Sequence, residues 1–230
     1  MLASYREQSY FEGAGLGYRS YGAQEKTLRA TFSRLLRDME RRRATGGRLL
    51  EVGCAYGFFL DEARGRFDHR TGTDFSQAAL ARAQGRADSL VVGGIPELPP
   101  QARYDVAACI HVIEHVYDPV AFTRQIVERL RPGGSLLLAA PDAGSLWLPF
   151  LGSRWPFFKV PEHVSYFDTA TLRTLLESGG CVDVRPIPYV SWFHLDLVGE
   201  KLGLPIPGPV RRWRVRMPGT TVALLGRKPE

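Results

Sequence analysis

Between Arg48 and Pro141 the chain alternates short apolar segments with helical ones, and this alternation constrains the fold more than any other feature. Helical segments of about ten residues separate apolar segments of strand length, a pattern that indicates parallel βαβ units. The fourth apolar segment is continuously apolar, as expected of a strand buried on both faces. The predicted strands are RLLEV, RTGTD, SLVVG, YDVAACIHV and SLLLAAP. The sequence therefore predicts an α/β fold with a mostly parallel sheet and helices on both faces.

Aromatic residues and prolines interrupt the pattern after Pro141, so we predict one domain, residues 1–230, with insertions. The last apolar segment, Gly219 to Arg227, follows a strand and a long insertion, which suggests an antiparallel hairpin at the end of the sheet. The predicted parts are an N-terminal arm and helix (1–45), a cofactor-binding core (46–141) and two substrate-pocket insertions (142–167 and 191–217).

Composition favours a globular protein of ordinary type. Of the 230 residues, 44% are hydrophobic and 23% charged, which excludes a mainly disordered chain. No apolar window approaches the length of a membrane span, and the first residues do not resemble a secretion signal, so we expect a cytoplasmic protein. Cys54, Cys109 and Cys181 have no metal-finger spacing, and we expect all three to be reduced and structural.

The chain carries a formal net charge of +6, largely because arginines cluster at 34–43 and 211–216. A basic surface favours anionic partners, including nucleic acid, by long-range attraction. Neither cluster interleaves basic and aromatic residues as nucleic-acid stacking platforms do, so we favour solvated surfaces. Nucleic acid stays an alternative partner, and we expect a monomer or a homodimer.

The first βα turn, Glu51-Val-Gly53-Cys-Ala55-Tyr-Gly57, has small residues at alternate positions. These let the backbone turn sharply and let a ligand approach it closely. Asp74 ends the second predicted strand about 20 residues after Gly53, a position that suits a carboxylate gripping ribose hydroxyls. Together the loop and Asp74 predict an adenosine-containing cofactor, without identifying it.

Four sequence blocks decide between such cofactors, because together they resemble the class I S-adenosylmethionine-dependent methyltransferases. The blocks are LLEVGCAYGFFL, TGTDFS, YDVAACIHVIEHVYDP and LRPGGSLLLAAPD, in the family's order and spacing. The resemblance implies a Rossmann-like seven-stranded sheet with an antiparallel last strand, and S-adenosylmethionine as the cofactor. Two departures stand out: Ala55 replaces the middle glycine of the loop, and Gly94 and Ile95 stand where an acid that grips the adenine amine is usual.

The resemblance also implies where the cofactor lies. The loop lines its methionine end, Asp74 holds the ribose, Phe75 and Ile95 flank the adenine, and Ile110 and His111 lie under the sulfonium. The residues predicted to bind the cofactor are Glu51, Gly53, Ala55, Gly57, Asp74, Phe75, Gly94, Ile95, Ile110 and His111.

Candidate catalytic residues follow the fourth strand: His111, Glu114 and His115, with His163 in the first insertion. The segment HVIEHV is similar to a block of ubiquinone-pathway O-methyltransferases that, with a later histidine, holds a divalent metal. Here Glu114, His115 and His163 match that block, and His111 replaces its first acid. Imidazoles and a carboxylate suit Zn²⁺ or a similar ion. The alternative, which we favour, is that these residues brace the loop without metal.

The insertions and the N-terminal arm are predicted to form the pocket for the methyl acceptor. Their aromatic residues suit an aromatic, lipid-like or sugar-bearing small molecule. The predicted substrate-binding residues are Tyr18, Tyr21, Trp155, Phe158, Tyr166 and Trp192. We expect methyl transfer to a hydroxyl oxygen; the alternatives are RNA or protein methylation on the basic surface, a non-enzymatic cofactor-binding module, and an NAD-dependent dehydrogenase.

Overall fold

The structure is a computed structural model that describes residues 21–152, 155, 157–202, 205–211 and 213–230. The seven-stranded sheet has the order β3-β2-β1-β4-β5-β9-β6. Its strands are β1 (Arg48–Val52), β2 (His69–Asp74), β3 (Ser89–Val92), β4 (Tyr104–Ile110), β5 (Leu130–Pro141), β6 (Val182–Pro186) and β9 (Thr221–Arg227).

The first five strands pair in parallel, and β9 runs antiparallel to both of its neighbours. The predicted Rossmann-like fold, with its reversed last strand, is therefore confirmed. One boundary differs: the sequence pattern predicts that the fifth strand begins at Ser135, the start of the segment SLLLAAP. Instead β5 begins at Leu130, where it pairs with Tyr104 before a register shift.

Helices cover both faces of the sheet, and polar residues fix where several of them begin. Ser76 caps the helix that follows β2, and Asp118 caps the one that begins at Pro119. Asp168 and Thr171 form a reciprocal capping box on a third. The helices are α1 (Glu25–Arg41), α2 (Phe58–Glu62), α3 (Gln77–Ala83), α4 (Pro119–Glu128), α5 (Leu148–Leu151), α6 (Thr169–Ser178) and α7 (Leu195–Leu202).

Two hydrophobic cores lie on opposite faces of the sheet, because successive side chains of a strand point to opposite sides. In β1, Leu49 belongs to the core that includes Phe32 and Phe59, and Leu50 to the core that includes Ile126 and Leu172. Both leucines are fully buried. The sheet is thus held rigid from both sides, and its carboxyl edge is a fixed platform.

The second insertion contains regular secondary structure. Strands β7 (Val190–His194) and β8 (Arg214–Pro218) form a two-stranded antiparallel ribbon, with α7 between them in sequence. The backbone N–H of Trp192 donates to Thr31 Oγ1, so the ribbon is fixed to α1. The indole Nε1 of Trp147 donates to the carbonyl of Pro218, which joins the two insertions.

No helix within the described part of the chain is long and apolar enough to cross a membrane. The three cysteines are buried and unbridged, as expected.

Candidate active site

A cavity opens at the carboxyl edge of the sheet, where β1, β2 and β4 end. Such an edge is where ligands bind in open parallel α/β sheets. One side is lined by predicted cofactor-binding residues, namely Glu51, Gly53, Ala55, Asp74, Phe75, Gly94, Ile110 and His111. The other side is lined by residues of α1, β7 and the first insertion, including Leu28, Thr31, Phe32, Phe157, Ser191, Trp192 and Phe193.

The loop after β1 lies against β2 and turns sharply. Gly53, Ala55 and Gly57 all have positive φ angles, of 76°, 47° and 70°. A Cβ on Gly53 would lie 2.4 Å from Cγ2 of Val112, so only glycine fits there. The N–H groups of Gly53 and Cys54 both donate to the carbonyl of Thr73, which holds the loop beside the end of β2.

Asp74 links this loop to the second strand. Its Oδ2 accepts from the N–H of Ala55 at 2.8 Å, and its Oδ1 accepts from the N–H of Ser76 at 2.8 Å. Burial raises the pKa of Asp74, and these two backbone donors partly offset that rise. Each oxygen keeps a second lone pair for a ligand hydroxyl, while the ring of Phe75, 37% exposed, lines the cavity beside it.

Glu51, at the end of β1, is a buried acid with an unsatisfied oxygen. Its Oε2 has no hydrogen-bond partner among the described residues. Burial, together with the negative charge of Asp74, raises the pKa of Glu51 well above its usual value. A buried polar group without a partner is costly, and a cationic ligand in the cavity would satisfy this one. Glu51 therefore fits the ammonium group of an amino acid such as the methionyl part of S-adenosylmethionine.

His111 lies just after β4 and forms an imidazole–carboxylate pair. Its Nδ1 is 3.4 Å from Oε1 of Glu114, and its Nε2 is 3.4 Å from Oγ1 of Thr221. The residue has a positive φ of 54°, which is uncommon outside glycine. Its ring stacks at 5.9 Å on that of Phe157 and lines the cavity.

Glu114 lies behind His111, almost fully buried. Burial alone would raise its pKa, but the hydrogen bond from His111 and the electrostatic interactions with His111 and His115 outweigh burial and lower the pKa. The backbone carbonyl of Glu114 accepts from the N–H groups of Val164 and Ser165, which anchors the first insertion here. This anchoring brings His163 to the site although it is far away in sequence.

Ligand atoms of Glu114, His115 and His163 lie within 4.8 Å of one another and could hold a metal ion. Oε2 of Glu114 and Nδ1 of His163 are buried and have no hydrogen-bond partner among the described residues. Burial lowers the pKa of His163 to about 4, so its imidazole is neutral near pH 7. Nδ1 of His115 is 2.9 Å from the carbonyl of Glu162, which favours a proton on Nδ1. The side chains present thus fit a divalent metal chemically.

The structure places only some of the predicted substrate-binding residues at the cavity. Tyr21 and Trp192 line the cavity, whereas Trp155 is 2% exposed and packs against Phe157 and Phe158 instead. Neither Phe158 nor Tyr166 is among the residues that line the cavity. Tyr18 lies outside the described residues.

Two predicted cofactor residues lie away from the cavity. A Cβ on Gly57 would be 3.1 Å from Cβ of Ala83, so this glycine allows α3 to pack against the loop. Ile95 is 3% exposed, belongs to the core with Leu98 and is not among the residues that line the cavity, so its contact with adenine stays a prediction. Glu114 and His163 do not line the cavity either, although they contact the histidines that do.

Sequence reasoning also missed residues that line the cavity. Leu28 and Phe32 recur at the helical period of α1, a pattern that does not distinguish lining residues from core residues; Phe32 belongs to the core and Leu28 packs against it. The sequence does not mark Thr31 or Tyr189 as site residues, because the packing of the ribbon on α1 brings them to the cavity.

Comparison with known proteins agrees with this geometry. A family model described as a methyltransferase domain matches residues 21–185. A probable S-adenosylmethionine-dependent methyltransferase of Mycolicibacterium smegmatis is 31% identical over 141 residues, which are 60% of this chain and 53% of that protein. A ubiquinone biosynthesis O-methyltransferase of Aeromonas salmonicida is 27% identical over 169 residues, covering 66% of this chain and 69% of that one. The chain thus spans only about half the length of the first of these relatives.

Solved structures share the fold. A methyltransferase of Thermotoga maritima superposes with a TM-score of 0.64 at 17% identity, covering 90% of this chain and 94% of that one. An N-methyltransferase of Bradyrhizobium japonicum, solved with S-adenosylhomocysteine, gives a TM-score of 0.57 at 18% identity, with 88% and 87% covered.

The chain belongs to the methyltransferase-domain family, since the family model covers more than half of it. The predicted membership of the S-adenosylmethionine-dependent methyltransferases is confirmed. The predicted cofactor, S-adenosylmethionine, is the cofactor of that family.

Proposed function

We propose that this chain transfers a methyl group from S-adenosylmethionine to a hydroxyl oxygen of a small acceptor molecule. The observation that carries the proposal is the His111–Glu114 pair, which presents an imidazole to the cavity beside the predicted cofactor residues. The O-methyltransferase names of several relatives support an oxygen acceptor. The aromatic wall supports an acceptor that is aromatic, lipid-like or sugar-bearing.

When bound, S-adenosylmethionine supplies an electrophilic methyl group on a cationic sulfur. The carboxylates of Glu51 and Asp74 would hold its ammonium and ribose groups, and Ile110 and His111 would lie beside its reactive end. His111 accepts the proton of the acceptor hydroxyl, so that the oxygen can form its bond to the methyl carbon. Glu114 orients the imidazole and stabilises its positive charge after proton transfer.

The apolar walls contribute positioning. Phe157 stacks on His111, and Tyr189 meets the same ring edge-on at 5.9 Å, so the base has little room to turn. Holding donor, acceptor and base in line replaces an encounter of separate molecules by a step within one complex. The products are a methyl ether, S-adenosylhomocysteine and one proton.

The test is S-adenosylhomocysteine formation with a panel of phenolic, lipid and sugar hydroxyl acceptors. His111→Gln should lower kcat by about 10²–10⁴-fold, the usual contribution of a general base, and leave the KM for the methyl donor nearly unchanged. His69→Gln is the matched control, because His69 lies at the start of β2, at the opposite edge of the sheet. Full activity of His111→Gln, or methylation of RNA or protein alone, would contradict the proposal.

A metal-assisted mechanism is a second candidate, favoured by the unpartnered Glu114 Oε2 and His163 Nδ1 atoms. Such an ion would act as a Lewis acid that lowers the pKa of the acceptor hydroxyl. Elemental analysis of purified protein should then show about one metal per chain, lost in His163→Gln and kept in His69→Gln. A metal-free protein that keeps its activity in chelator would exclude this candidate.

A further inference from the structure

The interior of the cavity offers no permanent cation to a negatively charged group. Among the described residues that line it, Glu51 and Asp74 are acids, and none is lysine or arginine. The acceptor side is largely apolar, with Phe157, Trp192 and Phe193 among its residues. An anionic part of an acceptor is therefore disfavoured inside the cavity and has to stay outside it.

Two arginines lie beside this cavity, on the ribbon of β7 and β8. Arg216 is paired with Trp192 across the ribbon, and Arg214 lies two residues before Arg216, so that the three side chains lie on one face. The guanidinium carbons of Arg214 and Arg216 are 6.0 Å and 5.8 Å from the centroid of the Trp192 ring. Because Trp192 lines the cavity, both cations lie one residue away from its wall. We call Trp192, Arg214 and Arg216 the rim site.

No acid neutralises the rim site within the part of the chain that the structure describes. Arg131 forms an ion pair with Asp105 at 2.7 Å, whereas no described acidic side chain forms one with Arg214 or Arg216. Both arginines are exposed, so they can meet a ligand. Two like charges beside one ring repel each other, and a ligand with two negative charges would balance both.

Hydrogen bonds fix the rim site relative to the cavity. The N–H of Trp192 donates to Oγ1 of Thr31 at 3.2 Å, and Oγ1 of Thr220 donates to Oγ of Ser191 at 3.0 Å. Thr31 and Ser191 both line the cavity. A ligand that fills the acceptor side and extends past Trp192 would therefore meet the two guanidinium groups in a preorganised position.

We propose that the rim site binds a phosphate group of the methyl acceptor. A guanidinium group matches the oxygens of a phosphate with two parallel hydrogen bonds, and a phosphate monoester carries nearly two negative charges near pH 7. The acceptor is then a phosphorylated molecule that keeps its phosphate at the rim and directs its hydroxyl toward His111. The inference rests on the proposed function, and it adds a charged group to an acceptor for which the apolar walls alone give no charge.

The experiment measures the binding of three probes to the protein saturated with S-adenosylhomocysteine, by titration calorimetry at pH 8. The probes are phenyl phosphate, benzoate and benzyl alcohol, which share a phenyl ring and carry two, one and no negative charges. Wild-type protein should bind phenyl phosphate roughly tenfold more tightly than benzyl alcohol, with benzoate between them. Arg214→Gln and Arg216→Gln should each weaken phenyl phosphate by about three- to fivefold and leave benzyl alcohol unchanged.

Arg103→Gln is the matched control, because Arg103 is exposed and directly precedes β4, at the opposite edge of the sheet; it should bind all three probes as wild type does. Equal affinities of wild type for phenyl phosphate and benzyl alcohol overturn the inference, and so does a preference that both rim variants keep. Benzoate bound as tightly as phenyl phosphate overturns the assignment of a phosphate. Arginine-dependent binding of single-stranded RNA without binding of phenyl phosphate overturns it as well.

The proposed function fails on a different observation. Folded protein that binds no S-adenosylhomocysteine, or that transfers no methyl group to any hydroxyl acceptor, contradicts the proposed function. Folded protein that binds S-adenosylhomocysteine and methylates hydroxyl acceptors, yet does not distinguish phenyl phosphate from benzyl alcohol, contradicts the rim site alone.

Discussion

Replacing Glu51 by glutamine should weaken ligand binding and stabilise the protein. The side chain is 4% exposed, and its Oε2 lacks a partner among the described residues. Glutamine has nearly the same shape but no charge. The variant therefore removes the attraction for a ligand ammonium and, at the same time, the cost of ionising a buried acid.

The binding loss follows from a charge-assisted hydrogen bond, which contributes about 1.5–3 kcal/mol. We expect Glu51→Gln to bind S-adenosylhomocysteine roughly 10–100-fold more weakly than wild type in calorimetric titration. Glu177→Gln, which changes an exposed glutamate, should bind as wild type does.

The stability gain depends on pH. Because the folded pKa of Glu51 lies above its ordinary value of 4.5, the folded state binds the proton more tightly than the unfolded chain. Wild-type stability is then unaffected by this group below pH 4.5. Above that value it falls by about 1.4 kcal/mol per pH unit until the folded pKa is passed.

Glutamine does not titrate, so the difference in melting temperature should grow in favour of Glu51→Gln above pH 4.5. For a chain of this size the slope is roughly 3–6 °C per pH unit, measured by thermal unfolding in ligand-free buffer. Unchanged ligand affinity, or a variant destabilised equally at every pH, would refute the reasoning.

Two further predictions concern packing. Gly53 and Gly65 share a φ of +76°, but a Cβ on Gly65 meets nothing within 4 Å, whereas one on Gly53 meets Val112 at 2.4 Å. Gly65→Ala should therefore lower the free energy of unfolding by about 1 kcal/mol, and Gly53→Ala should lower it clearly more, as measured by chemical denaturation. Equal losses of stability in the two variants would show that the loop at Gly53 rearranges to accept the Cβ. Burial raises the pKa of Cys181 to about 12 and also raises that of Cys109. Because all three cysteines are buried, a thiol reagent at pH 8 should label none of them in native protein and all three after unfolding. Rapid labelling of a native thiol would contradict the buried cores.

Local signals were sufficient to predict much of the fold. Of the parallel strands, β1, β3, β4 and β5 each contain a short apolar segment. Ser76 and Asp118 mark helix starts because a side-chain cap is a local interaction. The start of β5 was missed, because Pro132 and two glycines resemble a turn while tertiary pairing with β4 extends the strand through them. Tertiary context overrode a local preference there.

The candidate site was predictable where it depends on strand ends. Glu51, Asp74 and His111 each end or follow a strand, so the sheet alone brings them to one edge. Residues positioned by packing between distant segments, such as Tyr189, were not predictable. The burial of Ile95 in the core was not predictable for a related reason: a hydrophobic residue in a loop can turn toward a ligand or toward the core, and the spacing does not distinguish the two.

The most direct test of the account is a crystal structure of the protein with S-adenosylhomocysteine. We predict the ribose hydroxyls on the carboxylate of Asp74, the ammonium group at Glu51, and the sulfur beside Ile110 and His111. A ligand bound elsewhere, or bound in this cavity with its ribose away from Asp74, would contradict the central claim that the carboxyl edge of this sheet is the site of the methyl donor.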